Sequence, residues 1–183
     1  MRTTTSPAPT RLAIGEHPHM TIGTPFEDLY IDGLWNLQAG ARVMLVTLPR
    51  MADLISQQDL AAVLHDGLGQ TSHRVERLEA MLVHFEGPAR VHAAEVEALI
   101  GHGARYVAGW PSGSVRDIAL GAVARIAWHY AIPEYELAAA LAESIGYHQH
   151  AIDLRTMLAN VCQIDETLHR IIEAHIAAHA PRG

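Results

Sequence analysis

The stretch TPFEDLYIDGLWNLQAGARVMLVTLPRMA, residues 24–52, decides how the rest of the chain is read. Thr24 is a helix cap, Pro25 suits the first helical position, where its missing N–H costs nothing, and Glu27 is placed to reach back to the cap's N–H. From there Tyr30, Leu34, Leu37, Ala41, Met44 and Leu48 recur at steps of three and four, the spacing of one helix face, until Pro49 kinks or ends the run. A helix of this kind is stable only when its apolar face is covered, so partners of similar length are required.

The remaining sequence supplies them. Ser56-Gln57-Gln58-Asp59 is a second start signal, followed by Leu60, Leu64, Leu68, Thr71, Val75, Leu78, Leu82 and Phe85 before Gly87-Pro88. Residues 91–107 carry a shorter helical pattern weakened by Gly101 and Gly103. Ser114 with Asp117 opens the next long helix. Its stripe reads Ile118, Ala122, Ile126, His129, Pro133, Glu136 and Ala140, with Leu137 and Leu141 alongside, a kink expected at Pro133 and a stop at Gly146. The last helix carries Leu154, Met157, Val161, Ile164, Leu168, Ile172 and His175 before Pro181. Residues 1–23 hold Thr, Pro, Ser and His without an apolar period and are expected to form a flexible tail ahead of a bundle over 24–180. The pattern predicts an all-α protein, a four-helix bundle with a short extra helix in its second connection.

Composition narrows the function classes. With 183 residues, 49% hydrophobic and 5% aromatic, the chain suits one helix-rich domain. A net charge of −7 argues against a sequence-independent grip on nucleic acid or an anionic membrane, both of which need clustered Lys and Arg. No apolar run approaches the ~18 residues of a membrane span, and the first residues lack a signal-peptide core. The single Cys162 makes neither an internal disulfide nor a cysteine zinc site, which favours a reducing, cytoplasmic setting.

Beyond composition, the chain resembles a known family over roughly residues 24–175. Residues 27–52, ending Leu48-Pro49-Arg50-Met51, look like the first helix of the YciE/YciF ferritin-like proteins, small bacterial bundles associated with stress responses. Leu68, Thr71 and the run Val75-Glu76-Arg77-Leu78-Glu79 fall where that family's second helix has the same residues. His129-Tyr130, Leu141-Ala142-Glu143 with Gly146, and Asp165-Glu166 with Leu168 continue the likeness in order and spacing. The resemblance implies a ferritin-like fold, whose centre ordinarily holds two iron or manganese ions on inward carboxylates.

This chain departs from that pattern where the chemistry sits. By the resemblance, the ligand positions fall at Ala41 on the first helix, Gln70 and Arg74 on the second, Trp128 and Ala131 on the third long helix, and Asn160 and Val161 on the last. A di-metal centre needs about four carboxylates, so the inherited metal site is expected to be lost, with no cofactor. Helix geometry, at about 100° per residue with Thr71 facing inward, places Arg74 about 60° and His73 about 160° from the axis of view. The Gln70/His73 pair is therefore not expected to bind metal. Asp165, about 40° from Val161, needs a partner, and Arg74 is the expected one. His129 and Glu136, on the same stripe, complete a candidate central polar cluster of Arg74, His129, Glu136 and Asp165.

Three functions follow as expectations. The first is a stress-associated interaction or scaffold protein rather than an enzyme. The second is an oxidoreductase whose metal site, for iron or manganese, has been rebuilt on His129, Glu136 and Asp165. The third is a binder of a small apolar ligand in a central cavity opened by Ala41, Ala131 and Gly67. Gly67 and Gly69 facing Ala-rich stretches suggest close helix approach, and Trp35 or Trp128, if exposed, would suit a homodimer contact. The pairs His17/His19 and His148/His150 are read as surface residues, and the physiological partner as an unidentified protein or ligand.

Overall fold

In a computed structural model, residues 23–85 and 94–179 are described; they form α1 (Pro25–Ala52), α2 (Gln58–Leu82), α3 (Ala94–Ala108), α4 (Ser114–Ser144) and α5 (His148–His179), with no strand among them. The N-terminal segment with His17 and His19, and the stops at Gly87-Pro88 and Pro181, lie outside the described residues. Thr24 caps α1 as its sequence predicts: the Thr24 hydroxyl accepts from the Glu27 N–H at 3.3 Å, with Pro25 in the first turn. Its buried face is Tyr30, Leu34, Leu37, Met44 and Leu48.

Contacts at the two ends fix the helix directions. The α1–α2 turn and the first turn of α4 meet at one end, where Asp117 accepts from the Ser56 N–H (3.0 Å), the Ser56 hydroxyl (2.5 Å) and the Gln57 N–H (3.1 Å). His175, late in α5, lies at the same end, 2.9 Å from Asp59 of α2. At the other end Tyr147 donates to Glu27 at 2.9 Å, and Tyr30, Phe85, Tyr147 and His150 stack into an aromatic cluster. So α1 and α5 run one way and α2 and α4 the other. The helices pack as two hairpins, α1 with α2 and α4 with α5, joined where α1 meets α4 and α2 meets α5. Since α2 and α4 are parallel, the chain must return the length of the bundle between them, and α3 lies in that return, against α4 and α1. This is the ferritin-like arrangement.

Several local expectations are corrected. Pro49 lies inside α1 and does not end it, while Pro133 lies inside α4, as a mid-helix proline. Pro133 is exposed, so the carbonyl it leaves without an i+4 donor is on the solvent side, where water can serve it. Ser56 does not cap α2, whose N-cap is Gln57 without a side-chain bond, and the N-cap of α4 is Gly113 rather than Ser114. Asp117 takes over the first of these roles from a different helix. Gly146 does stop α4, at φ 90°, with Tyr147 N–H bonded back to the Ala142 carbonyl at 2.8 Å.

The largest correction concerns α4. Its buried residues are Ala119, Leu120, Val123, Ala124, Ala127, Trp128, Tyr135, Ala138, Ala139, Leu141 and Ala142, so the stripe through Ile126, His129, Pro133 and Glu136 faces out. The helix is apolar on nearly every side because it touches α1, α3 and α5, and a periodicity argument that weighs Ile above Ala selects the wrong face. Alanines go inward here because they let helices approach closely.

Asp117 is fully buried and holds three donors of a neighbouring helix start. Asp117→Ala is expected to cost about 2–3 kcal/mol by orphaning those donors. Thermal unfolding followed by circular dichroism should show a midpoint about 5–10 °C lower.

Candidate functional site

Five of the seven positions that the family resemblance sets at metal ligands converge. Ala41 from α1, Arg74 from α2, Trp128 and Ala131 from α4, and Val161 from α5 line one central cavity of about 30 Å3, together with Asn36, Thr71, Glu134 and Tyr135. Gln70 and Asn160 are half-buried beside it. The space is that of one or two water molecules.

What fills the centre is Trp128, 2% exposed. Its ring carbon Cζ2 comes within 2.8 Å of where a Cβ on Gly67 would stand, so a bare backbone at 67 is the condition for the indole to lie there. Gly67 thus faces a tryptophan rather than alanines, and Gly69 has nothing within 4 Å, so it plays no part in close packing. Trp128 is correspondingly unavailable to a dimer contact, and Trp35 is half-buried against the core.

Arg74 is 4% exposed. Its Nη2 donates to the Thr71 hydroxyl, which in turn donates to the Gly67 carbonyl at 2.6 Å, while Nη1 is buried without a hydrogen-bond partner. Burial pulls its pKa below the usual arginine value, partly offset by the hydroxyl of Tyr135. Burial pushes Tyr135 up to about 12, with Arg74 drawing it down and Glu134 raising it. Trp128 Nε1 and Asn36 Oδ1 are also buried without partners. Among the described residues Arg74 makes no ion pair, and the expected bridge to Asp165 is not formed.

Asp165 pairs elsewhere, on the seam between α4 and α5. Arg125 holds it with two bonds, Nε to Oδ1 at 2.8 Å and Nη2 to Oδ2 at 3.2 Å, and His129 Nε2 donates to Oδ2 at 2.9 Å. Arg125 Nη1 also donates to His169 Nδ1 at 2.9 Å. An arginine only donates, so the His169 proton sits on Nε2, which faces Glu173 at 3.4 Å. Burial raises the Asp165 pKa, but the bonds and charge of Arg125, with His129, outweigh it and hold the carboxyl below the usual range. Glu136 is exposed and belongs to neither group. The four candidate residues therefore separate: Arg74 in the centre, His129 with Asp165 on the seam, and Glu136 on the surface. His73 is exposed, as its helix angle predicts; His148 pairs with Glu143 at 2.8 Å, and His150 lies 2.8 Å from the Tyr30 hydroxyl.

Arg125 and His169 were not among the expected site residues, yet a signal exists. In the hairpin of α4 and α5, residues equidistant from the turn at Gly146-Tyr147 face each other, which sets Arg125 against His169 and His129 against Asp165. The spacing of four on each helix does the rest.

A ferritin-like bundle with a tryptophan and a guanidinium at its centre can now be set beside known proteins. The model of the family described as domain of unknown function DUF892 matches residues 25–180, and the chain belongs to that family. It is similar to protein YciF of Escherichia coli K12, 29% identical over 135 residues, 72% of this chain and 81% of that one. The solved structure of the E. coli stress protein YciF matches with a TM-score of 0.74 and 26% identity, covering 85% of this chain and 99% of that one. YcfI of Rhodopseudomonas palustris, provisionally called a structural protein, matches at 0.74 and 25%, covering 80% and 94%. This is a YciF-like member of the family.

Asp165→Asn is expected to lower stability by about 1–3 kcal/mol at pH 7, since charged bonds from Arg125 are lost. The native carboxyl titrates below the unfolded value near 3.9, so this contribution is complete above about pH 4 and lost as pH falls through the native value. Thermal melts of both proteins at pH 7, 5 and about 2.5 should show the gap closing only at the lowest pH.

Proposed function

We propose that this chain is a non-enzymatic, stress-associated bundle that acts through its surfaces as an interaction or scaffold protein, and that its centre is a degenerate di-metal site. Arg74 carries this reading: a nearly fully buried guanidinium stands among the inherited ligand positions. A dication there would meet a fixed positive charge in a medium that screens it poorly. Among the described residues Glu134 is the one acidic side chain lining the space, where a metal pair needs about four carboxylates. The residues do not fit two ions. The stress and structural association rests on the relatives: YciF is a stress protein, and YcfI is provisionally called structural.

The alternatives draw less support. Among the described residues no three His, Cys, Asp or Glu side chains gather to hold a metal, and Asp165, His129 and Glu136 are divided as described. A central space of about 30 Å3 has no room for an organic ligand.

The interaction side of the proposal includes a homodimer. Ala122, Ile126, Pro133 and Leu137 lie within about 60° of one another on the outer face of α4, with Ile126 52% and Leu137 51% exposed. A helix face meant only for water would carry charges there. The proposed setting is the cytoplasm, where the exposed Cys162 stays reduced.

Metal analysis by mass spectrometry, after anaerobic incubation of the full chain with Fe(II) and Mn(II) and desalting, is expected to find below about 0.2 ions per chain; about two per chain, the complement of an intact centre, would overturn the proposal. Light scattering is expected to give a dimer that Ile126→Lys with Leu137→Lys converts to monomer without loss of helicity. A monomeric parent, or a dimer indifferent to the change, would remove this face from the account.

A further inference from the structure

A second cavity, of about 380 Å3, opens between α1, α3 and α4. It is over ten times the central one and within the size range of small-molecule sites. Its position follows from Gly103: a Cβ there would stand 2.3 Å from Val123, so α3 approaches α4 with bare backbone at that point and the space lies beside it. The buried side chains Met51, Val107, Leu120 and Val123 make the apolar floor, and Trp110 forms part of the wall.

The polar lining is one-sided. Among the described residues, Arg50 and Arg116 line the cavity and no acidic residue does, although the chain carries a net charge of −7. Neither arginine makes an ion pair with a described carboxylate. Arg116 Nη2 reaches the Leu54 carbonyl only at 3.4 Å, and its Nε is buried without a hydrogen-bond partner. That Nε is shut off from the open space, so the guanidinium groups that a cavity ligand can meet are the outer nitrogens of Arg116 and the exposed head of Arg50. The remaining side-chain oxygen, the Thr47 hydroxyl, already donates to the Val43 carbonyl.

We propose that this cavity binds one small amphipathic carboxylate, a fatty acid of about eight to twelve carbons, a size suited to a pocket of this volume. Its carboxylate sits between Arg50 and Arg116 and its chain along Met51, Val107, Leu120 and Val123. A carboxylate consists of acceptors alone and meets a lining that offers donors. A peptide segment would bring as many N–H groups as carbonyls to a floor with nothing to accept them. The site is separate from the central one, so it stands or falls independently of the metal question.

Calorimetric titration of the full chain with decanoate tests this. Saturable binding at one per chain is expected, with Kd of about 0.1 mM. Arg116→Gln and Arg50→Gln should each weaken it about 5- to 20-fold by removing a charge-assisted partner. Ala104→Trp, at an exposed position on the cavity wall, should abolish binding while the thermal midpoint stays within about 2 °C of the parent, as expected for a surface change. Absence of saturation by about 2 mM, parental affinity in both arginine variants, or binding that survives Ala104→Trp would overturn the proposal.

Discussion

Everything at the centre of this bundle answers to one contact, the indole of Trp128 laid against the backbone of Gly67. Helices in such a bundle stand about 8–10 Å apart, and the space between them must be filled at the density of a crystal. A tryptophan at one inward position takes the volume that several side chains would otherwise share. Its neighbours are accordingly short: Gly67 and Ala41 across the centre, and Ala131 one turn on along its own helix. Arg74 completes the filling with its stem, and its head is anchored by Thr71, itself tied to the Gly67 carbonyl. The set is mutually dependent. A carboxylate returned to position 128 would leave a void beside Gly67 and a buried guanidinium still in place, so the inherited chemistry cannot be restored one residue at a time.

A second constraint sets the rotation of α4. A helix that is apolar all round gains similar burial in several orientations, and the hydrophobic effect, which has no direction, does not choose among them. Directional bonds do. Asp117 is fixed by the turn before α2, and the pair Arg125 and His129 by Asp165 of α5. These polar contacts sit at one end and along the α4–α5 seam, where the buried carboxylates of Asp117 and Asp165 are compensated by two or three donors each, while the central alanines provide the close approach. The orientation leaves Ile126 and Leu137 outside.

This explains which parts of the molecule were legible in its sequence. Helix starts, lengths and order follow from Thr24-Pro25, Gly146 and three-and-four spacing, because caps and periodicity are local physics. The inward positions of the centre came from the likeness of order and spacing to a family, and Ala41, Arg74, Trp128, Ala131 and Val161 do line one space. The direct reading of α4 chose the opposite face, and with it His129 and Glu136 as central residues. Amphipathicity assumes one buried side, which α4, covered by three helices, does not have. The Arg74–Asp165 bridge failed for a related reason. Charge complementarity says which groups can pair, but the hairpin register about Gly146-Tyr147 says which ones meet, and it hands Asp165 to Arg125 and His129.

The same physics places the chemistry of this protein away from its axis. Burying Arg74 without an ion pair costs stability, which its bond to the Thr71 hydroxyl offsets in part. At the periphery Arg50 and Arg116 flank an apolar space that no acidic side chain among the described residues enters, and half-exposed aliphatic residues line the outside of α4. Groups in those places keep access to solvent, so a ligand or a partner can reach them without opening the bundle. The space beside Trp128 holds no more than one or two waters, which leaves an organic ligand no room there. On the reading proposed above, a fold that fills its centre with an indole and a fixed cation has its surfaces, the α3 cavity and the face of α4, as the places for function.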